Sequence, residues 1–265
     1  MKTLLTLLLS ISLSSTALAG NSVYLEQIGT STDTTVNIDI DGNNNSINLS
    51  MEGTGNELDF KQEGNNNAIS WVSYWGSGKA WGGDIDGNDN TLKFEQYNTT
   101  GSDSNKIGFH MPGNSNELHI CQGATFSSST DTTCSGTTPN SEYGGHTVNL
   151  DVHANGNSIK VGQETGTGNA DHYAQIYYYG GDNNDTFLTQ KGNANKTLNM
   201  IVRTDGGEQE LMQKGDGAHT ATIDLTGSYH TDMTMTQQGN TAQSYSLTQN
   251  CQTSGGCSVS VTQGN

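Results

Sequence analysis

The chain has 265 residues, a formal charge of −17, only 31% hydrophobic residues and 34 Gly. So acidic a chain lacks the clustered Lys and Arg that a phosphate backbone needs, which excludes nucleic acid as a partner. Composition alone would suit disorder, but with only two prolines β-structure stays open, and periodicity has to decide.

Residues 1–19, MKTLLTLLLSISLSSTALA, read as a secretory signal peptide. They hold Lys2, a mostly apolar run from Leu4 to Leu18, and Ala17-Leu18-Ala19 as a small-x-small cleavage site. The expectation is a secreted protein cleaved near Ala19, with residues 20–265 forming one repeat domain and an insertion near 124–146. No other apolar stretch approaches the roughly 20 residues a spanning helix needs.

From Val23 onward, short segments alternate apolar and polar residues. Val23–Gln27, Val36–Ile40, Ile107–Met111, Val148–Val152, Ile159–Gln163, Ile223–Leu225, Tyr245–Gln249 and Val259–Gln263 all read as strands with one buried side. A half-repeat G-x-x-N-x-Φ-x-Φ-x-Q, with Φ apolar, runs from Gly53 to Gln62, Gly87 to Gln96 and Gly113 to Gln122. Variants run from Gly42 to Met51 and from Gly181 to Gln190. Its two Φ residues and its Gln point to one face of the strand, while Asp59, Lys61, Lys93 and Glu95 fall on the other.

The Gln then opens a Q-x-G corner at Gln27/Gly29, Gln62/Gly64, Gln190/Gly192, Gln213/Gly215 and Gln237/Gly239. The last three are 23 and 24 residues apart, and Gln263 follows at a similar interval. Gly and Asn, including Asn67 and Asn195, suit corners because they tolerate φ > 0.

Two strands and two corners make a coil of about 23 residues, the signature of a solenoid. The predicted fold is all-β: some nineteen strands in a β-solenoid of about nine or ten coils, two parallel strands per coil, ~45 Å tall at the usual strand spacing. An inward Gln is costly unless its amide is bonded. The inward glutamines Gln27, Gln62, Gln96, Gln122, Gln163, Gln190, Gln213, Gln237 and Gln263 are therefore expected to bond one coil to the next as a ladder, with Gln190 and Gln213 as adjacent rungs.

The run Gln190-Lys191-Gly192-Asn193-Ala194-Asn195-Lys196-Thr197 fits Q-x-G-x-x-N-x-(small), and Gln62 to Asn67 fits Q-x-G-x-x-N. In these residues the chain resembles the curlin family, the subunits of curli fibres. The resemblance implies an exported bacterial protein that forms amyloid-like surface fibres promoting adhesion and biofilm. It also implies a nucleating subunit or an outer-membrane secretion pore as partner, and a host or biofilm surface as target. The periodicity extends from Val23 to Gln263, although only a minority of coils carry the full Gln-Gly-Asn set. The array is roughly twice as long as in familiar curli subunits, carries cysteines, and starts its first strand without a preceding polar export segment.

Independently of that resemblance, neither end of the array shows a capping element, so each terminal coil exposes unpaired backbone groups. Head-to-tail stacking into a filament is expected. Assembly should be opposed by the negative charge and run faster near the sequence pI of about 4.4 than at pH 8 in low salt.

The four cysteines of an exported chain suggest two local disulfides, Cys121–Cys134 across the Ser/Thr-rich insertion and Cys251–Cys257 around QTSGG. No C-x-x-C pair or matching His spacing suggests a metal, and no cofactor is expected. Asp39-x-Asp41-Gly42-Asn43 and Asp84-x-Asp86-Gly87-Asn88-Asp89 fit either calcium ligands or plain corners, and neither is an EF-hand loop. Trp71, Trp75 and Trp81, in ISWVSYWGSGKAWGG, either stack on sugar rings or pack an enlarged coil, and the tyrosines from Tyr173 to Tyr179 pose the same choice.

A single arginine, Arg203, and seven scattered histidines offer no enzyme site. The expected function is a structural fibre subunit. The alternative is a non-polymerising secreted solenoid adhesin that binds surface glycans.

Overall fold

The computed structural model describes residues 7–13, 20–28, 32–69, 72–73, 80–81, 83–98, 103–135, 144–166, 170–177, 181–203 and 205–264. Among these, twenty-two strands follow in order. They are β1 (Leu7–Leu13), β2 (Ser22–Ile28), β3 (Thr34–Asp41), β4 (Ser46–Glu52), β5 (Glu57–Gly64), β6 (Ala68–Ile69), β7 (Val72–Ser73), β8 (Ala80–Trp81), β9 (Gly83–Asp86), β10 (Thr91–Asn98) and β11 (Lys106–Met111). Then come β12 (Glu117–Gln122), β13 (Thr147–Asp151), β14 (Ser158–Glu164), β15 (Tyr173–Gln175), β16 (Asp185–Lys191), β17 (Thr197–Asn199), β18 (Glu208–Lys214), β19 (Thr220–Asp224), β20 (Thr231–Gln238), β21 (Ser244–Thr248) and β22 (Cys257–Gln263).

The strands alternate between two facing parallel sheets. One runs β1-β3-β5-β10-β12-β14-β16-β18-β20-β22, the other β2-β4-β6-β11-β13-β15-β17-β19-β21, with β9 bridging β4 and β11. The chain is therefore a β-solenoid of about eight turns of roughly 26 residues. The turns are slightly fewer and longer than the repeat predicted, because extra residues leave at the corners. Successive rungs stay in register whether they are 23 residues apart, as Gln190 and Gln213, or 41 apart, as Gln122 and Gln163. The antiparallel pair β7–β8 is a different excursion: it lies between β6 and β9, which share one rung of the second sheet, and so interrupts a strand rather than a corner.

Alternation along each strand builds the interior. β3 buries Val36, Ile38 and Ile40, and β5 buries Leu58, Phe60 and Gln62, while their neighbours face out. Pairing places like on like: Leu92 against Leu58 on one side and Leu118 on the other, and Phe60 against Phe94, whose rings stack 5.0 Å apart. One apolar cluster runs the length of the array from Val36 to Met235. A narrow two-sheet interior, with two or three apolar residues per strand, accounts for a stable fold at so low a hydrophobic content.

The corners follow the G-x-x-N reading. The residue just before most inward Asn is left-handed: Asn44, Asn66, Asp89, Ser115 and Asn183 all lie near φ 55–60, and Gly55 and Gly156 at 70 and 65. The leading glycine is needed because turns meet there. A Cβ on Gly42 would lie 1.7 Å from the carbonyl oxygen of Gly64, and one on Gly192 would lie 2.0 Å from that of Gly215.

Candidate functional site: the amide spine and the solenoid ends

Glutamine fills the third inward position of the first sheet in eight consecutive rungs. Gln62, Gln96, Gln122, Gln163, Gln190, Gln213 and Gln237 each donate from Nε2 to Oε1 of the next, the last of them to Gln263, at 2.8–3.0 Å. The second amide hydrogen reaches a main-chain carbonyl at the start of the opposite strand, as in Gln96 to Ala68 at 3.1 Å and Gln190 to Tyr173 at 2.9 Å. This second bond fixes which way every amide points, since a carbonyl can only accept. The ladder begins at Gln62 because Ile40 occupies the preceding rung, leaving Gln62 Oε1 buried without a donor. Gln27 takes no part. It faces inward in the other sheet, opposite Met51.

Asparagine ladders run along both corners. Asn56, Asn90, Asn116, Asn157 and Asn184 form one, each Oδ1 accepting the backbone N–H of the next at 2.8–3.0 Å. At the other corner Asn45 accepts from Asn67 at 2.9 Å and Asn67 from Asn105 at 3.1 Å. The column then changes chemistry, continuing through His146, His172, Lys196 and His219, all fully buried.

The rings of His146 and His172 stack 4.9 Å apart. Burial, aided by His172, holds His146 well below the usual imidazole range. Burial pushes His172 down to about 3, and lowers His219 as well. Lys196 donates to the carbonyls of Ala194, Gly215 and Gly217 at 2.7–2.8 Å, and burial brings its ammonium down to about 8. Asn195 sits at this corner one residue early, exposed, accepting from the Asp171 N–H at 3.0 Å. Gly64, Gly192, Gly215 and Gly239 occupy the same corner with positive φ, and Gly29 lies outside the described residues.

Both predicted disulfides are present, each with 5.8 Å between Cα atoms. The insertion held by Cys121–Cys134 is more than a surface loop. It folds back over the outer face of the first sheet, where Phe126, Ala124, Tyr97 and Phe187 make a second small core with Cys121. Gly162 makes room for it, since a Cβ there would meet the Cα of Thr125 at 2.8 Å. Beside it, burial opposes the charge of Glu95, but hydrogen bonds from His119, Tyr97 and Lys93 prevail and hold its carboxyl down at about 2.

Among the described residues, neither Asp-rich corner gathers three imidazole, thiolate or carboxylate ligands. Trp71 and Trp75 lie outside the described residues, and Trp81 contributes backbone to β8. Tyr173 and Tyr177 pack on the solenoid rather than forming an open platform. The Tyr173 hydroxyl donates to Gln175 at 2.9 Å and Tyr177 is buried.

The histidines, scattered in sequence, are gathered by the stacking. Besides the buried column, His110 and His153 meet on the outer face of the second sheet beside Asp151 and Asp84. Only the turn-to-turn register brings 110 to 153, so no sequence spacing could show it.

At the solenoid ends the inward residues change from buried to half-exposed. Val23 and Leu25 of β2, Tyr245 and Leu247 of β21, and Val259 and Val261 of β22 pack on the core from one side only. The third inward column of the second sheet holds Met51, Ile85, Met111, Val152, Val202 and Leu225 in its interior. Its two end rungs carry Gln27 and Gln249.

The fold and spine define a parallel two-sheet β-solenoid with an internal amide ladder. No family model matches the chain, and neither a curated protein nor a solved structure matches it.

Proposed function

We propose that this chain is a structural subunit of extracellular, amyloid-like fibres of the curli type, serving adhesion and the biofilm matrix. In this reading it stacks head to tail and does no chemistry. The observation that carries it is the pair of ends. Strands β2, β21 and β22 are parallel edge strands with half-buried apolar rows, the arrangement that recruits a further strand.

Stacking β21 of one copy on β2 of the next sets Tyr245 by Val23 and Leu247 by Leu25. It also sets Gln249 by Gln27, so an inward amide at each end meets another amide. In the other sheet β1 holds the edge of β3, and β1 falls within the predicted signal peptide. Cleavage near Ala19 opens that edge to β22.

Electron microscopy and fibre diffraction of the cleaved protein test this. Filaments with a reflection near ~4.8 Å are expected, and Gln249→Lys should slow their formation by placing an ammonium in the junction. Protein that stays monomeric at high concentration and salt, with no cross-β reflection, overturns the proposal.

A further inference from the structure

We propose a transition-metal site on the outer face of the second sheet, made by His110, Asp151 and His153 and steadied by Asp84. His110 lies near the end of β11, opposite Asp84 of β9 on one side and Asp151 of β13 on the other. His153 follows two residues after Asp151, so its ring turns back over the same carboxylate. One ligand atom from each of His110, Asp151 and His153 lies within 4.8 Å of the others.

His153 Nε2 is 2.6 Å from Asp151 Oδ1, and His110 Nδ1 is 3.6 Å from the same oxygen. The two imidazoles meet edge to face, 5.0 Å between centroids. A tetrahedral zinc site with bonds of roughly 2.0–2.1 Å separates its ligands by about 3.4 Å. The His110 contact already fits, and His153 has to move outward by less than about 1 Å to meet the same edge. Its side chain is 43% exposed, on the segment after β13.

Asp84 gives the cluster its direction. Its Oδ2 stands 3.6 Å from His110 Nε2, the nitrogen facing away from Asp151. A carboxylate there favours the tautomer protonated on Nε2, leaving the Nδ1 lone pair for a metal, the usual arrangement around a ligating histidine. Asp151 is only 7% exposed, so its charge is poorly screened and gains from a bound cation. Two imidazoles and one carboxylate select zinc, nickel or copper over calcium or magnesium, which prefer all-oxygen shells. The other cluster of this kind among the described residues, His119 with Cys121 and Cys134, has both sulfurs committed to the disulfide.

The test is calorimetric titration of untagged, chelator-treated protein with Zn2+, with Co2+ absorption as the geometric readout. One equivalent of Zn2+ should bind saturably, and Co2+ should give the visible bands of a tetrahedral nitrogen and oxygen site. H153A, at an exposed position that leaves the fold intact, should weaken binding more than tenfold, as should H110A. D84N should weaken it about tenfold, and H230A not at all. Absence of one-to-one uptake by the wild-type protein, or uptake undiminished in H153A, overturns the site. Unchanged affinity in D84N overturns the role given to Asp84.

Discussion

Gln122 accepts from Gln96 at 2.8 Å and donates to Gln163 and to the carbonyl of Lys106, both at 3.0 Å. Replacing it with Met keeps the volume but strands two buried amide groups and a carbonyl. At about 1–3 kcal/mol per orphaned group, partly relieved by relaxation, Gln122→Met should cost roughly 3 kcal/mol, read as a lowered urea midpoint. The buried histidines give a second prediction. His172 has its folded pKa, about 3, below its unfolded value of about 6.5, so protons bind the unfolded chain better. Its contribution to stability is complete above about pH 6.5 and is lost as pH falls toward the folded value. At pH 5 the loss from His172 alone is about 2 kcal/mol, and His146 and His219 act in the same direction. His172→Asn, which puts the residue of the earlier rungs back into the column, should flatten the pH dependence of the urea midpoint between pH 8 and 5. An unchanged slope would remove His172 as its source.

At the level of strands and corners, most of the design was legible. The half-repeat from Gly53 to Gln62 already held a corner, two core residues and a ladder amide, because period-two alternation and the left-handed turn each leave a mark in sequence. The covering flap did not show itself. Phe126 and Cys134 sit in a Ser/Thr-rich run without period, and only the third dimension shows that Phe126 lands on Phe187, 61 residues on. The buried column was hidden for a different reason. At corners six or more residues long, as from Gln190 to Lys196, the inward site slips past the Asn that the motif points to. Cys251–Cys257 closes a loop with a sequence separation of 6 next to the edge strand β22. Its loop-closure contribution is about 2 kcal/mol, placed where strands fray. Reduction should therefore raise amide exchange in β22 well before it changes exchange in β16 or β18, as hydrogen-exchange mass spectrometry can resolve.

For the whole molecule, acid acts in two opposed ways. Approaching the pI of about 4.4 relieves repulsion between copies whose charge, −17 over the full chain, becomes −17 − 1 = −18 when Lys2 leaves with the signal peptide, yet it also charges imidazoles that the fold keeps neutral. Salt at pH 8 separates the two. Raising ionic strength from about 0.01 to about 0.1 M shortens the screening length from roughly 30 to roughly 10 Å. Assembly followed by light scattering should accelerate over that range without loss of stability, and no acceleration would dismiss charge as the barrier. Acid alone should help less than the charge suggests. The amide spine carries one further consequence. All seven of its Nε2-to-Oε1 bonds run the same way, so the side-chain dipoles add along the rod; the last rung, Gln263, keeps one amide hydrogen beyond its bond to Ser244, while the acceptor of the first stays buried beneath Ile40. A rod with such a built-in arrow has unlike tips. Fibres made from it would be directional, adding subunits faster at one tip than at the other.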